Sequence, residues 1–209
     1  MLRVALTLLA LFSLPALLSQ ARGGTSAATT APAPPAAAGT AATPHGCLPT
    51  GDGYLRAVIR GAMNLDIDWH NGELECDGGP RPGGSGLRVS FAGPPHADGH
   101  RLRVVFGVRA VQEGHPGHDL PTNLTVIFEG EQRLFATRGD DRCTVDDLKQ
   151  ERVGALGGAK RSWRIVARGF CISPASSLNS DAHILVTRFD FAGNAVFEDE
   201  SDSNPAATK

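Results

Sequence analysis

Residues 62–77 read AMNLDIDWHNGELECD. Met63, Leu65, Ile67 and Trp69 alternate with Asn64, Asp66, Asp68 and His70. A period of two sends successive side chains to opposite faces, the pattern of a half-buried β-strand. Asn71-Gly72 then supplies two residues that tolerate positive φ, as a type I′ hairpin turn requires. The partner strand is expected at Glu73–Asp77. Around a two-residue loop His70 faces Glu73, Trp69 faces Leu74, Asp68 faces Glu75, Ile67 faces Cys76 and Asp66 faces Asp77. One face of this hairpin is apolar. The other sets carboxylates against carboxylates, at about 0.2–1 kcal/mol per opposed pair. Arginines on a neighbouring strand, salt or a cation would have to offset that cost.

Outward from this stretch the same period recurs. Before it, Leu55, Ala57 and Ile59 alternate with Arg56, Val58 and Arg60 over Tyr54–Arg60, and the two arginines are candidates to neutralise the acidic face if the two strands are neighbours. After it, residues 78–86 are rich in Gly and Pro and read as loop. Leu87, Val89 and Phe91 mark a strand; so do Leu102, Val104 and Phe106, beyond a loop at residues 93–100. Residues 112–121 read as another loop. Asn123–Phe128 and Arg133–Thr137 form a second hairpin around Gly130-Glu131, apolar on both faces and therefore central. Thr144–Val153 is expected as the one short helix, capped by Thr144 with Asp147 three residues on and stopped by Gly154. Strands return at Ser162–Cys171 and Ile184–Phe191, with Gly193-Asn194 turning the chain back through Ala195–Phe197. Short alternating strands between Gly and Pro turns give an all-β fold: an antiparallel β-sandwich in preference to a barrel, with one short α-helix.

The chain has 209 residues and a net charge of -2. Residues 1–21 have the form of a secretory signal: Arg3, an apolar run from Val4 to Leu18, and small residues at Ser19 and Ala21. That run is short and contains Pro15, so no stable membrane span is expected. Residues 22–46 are an Ala/Pro/Thr-rich linker without large apolar side chains, expected to stay disordered. Residues 47–197 form the β-sandwich domain, and residues 198–209 an acidic, disordered tail. A domain so near neutrality gives no electrostatic footing for nucleic acid. Cys47, Cys76, Cys143 and Cys171 make an even count, which in an exported, periplasmic or extracellular protein reads as two disulfides. Cys47–Cys76 with Cys143–Cys171 is the favoured pairing, because each closes a similar, modest loop. Each bridge contributes about 2–4 kcal/mol, chiefly by restricting the unfolded chain. Without a C-x-x-C pair, structural zinc ranks below.

Candidate chemistry is sparse. Asp66, Asp68 and Glu75, with Glu73 and Asp77, offer the oxygen donors that calcium takes, but a flat strand lays carboxylates in rows rather than around an ion. His96 and His100 (HADGH) and His115 and His118 (HPGH, followed by Asp119) have spacings that could ligate zinc or copper. Pro and Gly put both pairs on loops, so the helical face that serves HExxH is missing. Ser85 in GGSGL lacks the second glycine of a nucleophile elbow. No cysteine is expected to be free. Arg138-Gly139-Asp140 is a three-residue match of the kind that recurs by chance, and the sequon Asn123-Leu124-Thr125 lies in an expected strand. Residues 133–143 (RLFATRGDDRC) read as an ion-paired turn pinned by Cys143, in preference to a patch for a partner. The expectation is a non-catalytic binding or interaction module with a protein or glycan partner and no cofactor. The alternative is a metal-assisted hydrolase holding a divalent metal on the loop histidines or the acidic face.

Overall fold

The structure is a computed structural model that describes residues 46–83, 85–155 and 160–198. The expected signal, the linker up to residue 45 and the tail beyond Glu198 lie outside the described residues. Within them the chain forms β1 (Tyr54–Gly61), β2 (Leu65–His70), β3 (Glu75–Pro80), β4 (Gly86–Ala92), β5 (Arg101–Arg109) and β6 (Gly117–Glu129). There follow β7 (Arg133–Ala136), β8 (Cys143–Ala155), β9 (Arg161–Cys171), β10 (Ala175–Ser177) and β11 (His183–Phe197). The strands are hydrogen-bonded in the order β2-β1-β11-β10-β7-β6-β5-β4-β3, with β8 joining β6 to β9 and β9 joining β8 to β11. Every pairing is antiparallel. The fold is an all-β antiparallel sheet held by the Cys47–Cys76 and Cys143–Cys171 disulfides.

The alternating apolar residues supply the core. Phe91 of β4 and Phe106 of β5 meet Phe191 of β11 at ring-centroid distances of 5.1 and 4.9 Å, and Phe106 meets Phe189 at 4.7 Å. Leu55, Ile59, Leu87, Val89 and Val104 are buried around them. Each such side chain contributes about 1.5–3 kcal/mol by leaving water. At Gly79 a Cβ would stand 2.9 Å from the Val196 carbonyl oxygen, so the missing side chain is what lets β3 lie close to β11.

The opening hairpin is not formed as expected. Asn71-Gly72 does turn the chain, and the Glu73 N–H donates to the His70 carbonyl at 2.8 Å. The strands leaving that turn diverge: β2 pairs with β1, β3 pairs with β4, and the two end at opposite extremes of the strand order. Two causes are visible. Asn71 is bound to the segment before β1, its Oδ1 accepting from the Leu48 and Gly53 N–H groups at 2.8 and 3.0 Å and its carbonyl from Cys47 at 3.3 Å. The alternative pairing also replaces opposed carboxylates with arginine: Arg56 lies opposite Asp68, with Nε 3.1 Å from its carboxylate, and Arg60 reaches Asp66 at 2.6 Å.

The expected helix is also overturned, since Thr144–Val153 lies inside β8. Val145 and Leu148 are 0 and 1% exposed, and a spacing of three belongs to a helix face rather than a regular strand. A β-bulge reconciles them. The register of β8 against β9 shifts between Val145 and Asp147, so Asp146 is an extra residue and both apolar side chains face inward. Among the described residues there is no helix.

Three boundaries differ as well. β3 continues through Gly78-Gly79-Pro80, β6 starts at Gly117, and β11 runs unbroken through Gly193-Asn194. The second hairpin forms as read, with Phe128 opposite Arg133 and β6 flanked by β5, β7 and β8.

Candidate interaction face

Residues opposite one another in an antiparallel pair point to the same side of the sheet. Following the register across six strands gives one row: His118 on β6, Asp147 on β8, Arg168 on β9, Asp190 on β11, Arg56 on β1 and Asp68 on β2. Acid and base alternate along it. His118 Nδ1 lies 2.8 Å from an Asp147 oxygen, Arg168 donates to the other Asp147 oxygen, and Arg56 donates to Asp68. Asp190 accepts from the Tyr54 hydroxyl at 2.7 Å. A shorter row beside it carries Glu151 opposite Arg164, which reaches Glu151 at 3.1 Å and Asp52 at 2.8 Å.

The electrostatics follow from these contacts. The hydrogen bond from Arg168 holds the Asp147 carboxyl below its ordinary value, and the bond from Arg60 does the same for Asp66. Partial burial, aided by the bond to Asp190, pushes the Tyr54 phenol up to about 12. Two open depressions adjoin Asp190 on this face. One, of about 390 Å³, is lined by Arg56, Asp66, Asp68 and Arg188; the other, of about 360 Å³, by Asp147, Lys149 and Arg168.

The residues singled out in the sequence are dispersed. His96 and His100 precede β5, whereas His115 and His118 follow it. A strand of nine residues separates the pairs by about 30 Å. His118 stands on strand β6 rather than in a loop. His115 sits in a loop tied by Gln150, whose Nε2 donates to the Gln112 and His115 carbonyls at 2.7 Å each. Asp66 and Asp68 are on β2, while Glu75 is on β3 and pairs with Arg101 at 3.0 Å. Among the described residues no group of three His, Cys, Asp or Glu side chains could hold a metal ion. In the RGDDRC turn, Asp140 accepts from Arg81 at 2.6 Å and from Asn123 at 2.9 Å, and the Arg81 bond is the main reason its carboxyl is lowered.

Asp147, Arg168 and Asp190 were not among the residues that sequence reasoning selected. Their signal exists only in the register, and for Asp147 the helical reading of β8 hid the alternation of Asp147, Lys149 and Glu151. Compared with family models, curated proteins and solved structures, the chain matches none.

Proposed function

We propose that this chain is an exported, disulfide-stapled β-sandwich that acts as a non-catalytic binding module, taking a protein partner against the face of the charged row. The observation that carries the reading is the unbroken alternation of charge from Asp147 to Asp68 across five strands, with the imidazole of His118 beside Asp147 on a sixth. Exposed ion pairs of this kind add only about 0–1 kcal/mol each to stability. Charge laid out in register is better suited to choosing a partner and steering its approach. The depressions beside the row are open and edged by charged side chains, unlike the enclosed pockets that small ligands prefer. Among the described residues every carboxylate with a shifted pKa is shifted down, which suits a carboxylate held ionised by its partners and not a general acid. A protein is favoured over a glycan because Tyr54, the aromatic ring beside this row, already commits its hydroxyl to Asp190. The two disulfides are consistent with an oxidising, exported location. No helix of the described residues is long and apolar enough to cross a membrane.

The test is retention of the full-length oxidised protein on an envelope fraction of its own cells, at low and high salt. Lys149→Glu with Arg168→Glu reverses two charges without touching the core. Retention is expected to fall about tenfold, a change of about 1.4 kcal/mol, in a variant that stays folded, since glutamate at 168 opposite Asp147 and Asp190 costs only about 0.2–1 kcal/mol per pair. Retention that ignores both the variant and the salt would refute the reading. No specific observation favours a metal-assisted hydrolase, since the four histidines stand at opposite ends of β5.

A further inference from the structure

β2 begins the strand order and pairs with β1 alone. At its last residue the other edge is already in use. The His70 N–H donates to the Glu73 carboxylate at 2.9 Å, and the His70 carbonyl accepts from the Glu73 N–H at 2.8 Å. Backbone groups of an antiparallel strand alternate in direction residue by residue. The N–H and C=O of Asp68 and Asp66 therefore point the same way as those of His70, away from β1. Among the described residues nothing bonds to them. The side chain of Leu65, at the start of β2, is 36% exposed. A bare edge of this kind is a template for one more strand.

The side chains restrict what that strand is. Asp66 and Asp68 stand on the outward side of the edge, and Leu65, Ile67 and Trp69 on the inward side. A second copy pairing β2 with β2 would set aspartate beside aspartate, which is unfavourable. The strand that does fit β2 is visible in the structure: β1 places Leu55, Ala57 and Ile59 opposite Trp69, Ile67 and Leu65, and Arg56 opposite Asp68. We propose that the free edge of β2 takes up an extended segment of a partner protein, alternating apolar and basic residues as β1 does, as an added strand. The site is separate from the β8 and β9 positions that test the charged face, so either reading can fail alone.

The probe is a synthetic peptide of the β1 sequence, YLRAVIRG, beside a counterpart with glutamate in place of both arginines, each titrated into the oxidised full-length protein. The first is expected to bind and the second at least about tenfold more weakly. Asp68→Pro removes an N–H that faces away from β1, a position where edge strands tolerate proline. It is expected to keep the parental melting midpoint and lose the peptide. Asp66→Lys with Asp68→Lys is expected to reverse the preference between the two peptides, and decides the matter should the proline variant fail to fold. Binding of neither peptide, equal binding of both, undiminished binding by a folded Asp68→Pro variant, or an unreversed preference in the lysine variant would each overturn the proposal.

Discussion

Removing Asp146 isolates the bulge that lets β8 be a strand. Deleted alone, it leaves Val145 and Leu148 correctly directed against β9, because the surplus residue in that pairing is gone. The conflict moves to the other side. β6 meets β8 in a register that counts both Asp119 and Asp146, with Leu120 opposite Val145 and His118 opposite Asp147. Shortening β8 alone brings His118, which faces outward, level with Leu148, which faces inward. Either Leu148 turns to solvent, at about 1.5–3 kcal/mol, or an imidazole is buried. The 2.8 Å pair between His118 and Asp147 is lost as well, at about 0–1 kcal/mol. The single deletion should therefore cost about 2–4 kcal/mol. Deleting Asp119 as well restores the count. Asp119 also has φ 52°, a left-handed conformation costing a non-glycine residue about 1–2 kcal/mol, so its loss removes strain. The double deletion is expected within about 1 kcal/mol of the parent. Urea denaturation of the parent, both single deletions and the double completes the cycle. A double deletion as damaging as the sum of the singles would refute the account of β8.

Tyr54 is the sole tyrosine of the chain, so its ionisation can be followed by ultraviolet absorbance without interference from another phenol. The midpoint is expected at about 12, falling toward the ordinary value of 10.0 in Asp190→Asn; since the folded value lies above the unfolded one, this group's contribution to stability is full below pH 10.0 and is lost as the pH rises through about 12. Replacing Cys47 and Cys76 together by serine opens a loop with a sequence separation of 29, which by loop-closure entropy costs about 3–4 kcal/mol and should appear as a lower urea midpoint in the oxidised protein.

The strands legible in the sequence are those that carry no extra residue of their own, the irregularities of the β1 and β9 pairings falling on β11 and β8. β1, β4, β5 and β9 show a clean period of two, and the β6–β7 hairpin carries its own turn at Gly130, φ 88°. What stayed hidden lies in the choice of partners. The Asn71-Gly72 turn is real, yet turn chemistry acts over four residues and says nothing of where the two arms go. That choice is made by Asn71 binding the Leu48 segment and by the arginines of β1. β8 was hidden because one extra residue makes an inward pair look like a helix face. For the interaction face, Asp66 and Asp68 were legible as an acidic stripe. Their place in a row reaching Arg168 and His118 depends on pairings between strands far apart in sequence.

β1 is the first strand of the described chain to be synthesised and β11 the last, yet they lie side by side from Tyr54↔Ala192 to Gly61↔Ile184. Until β11 exists β1 has β2 for company, and a two-stranded ribbon is marginal in water. Joining segments so remote incurs loop entropy before any contact repays it, which places such topologies among folders needing about milliseconds to seconds. The pairing of β1 with β11 therefore waits until β11 has been made, whereas the consecutive pairings from β3 to β7 need no later segment.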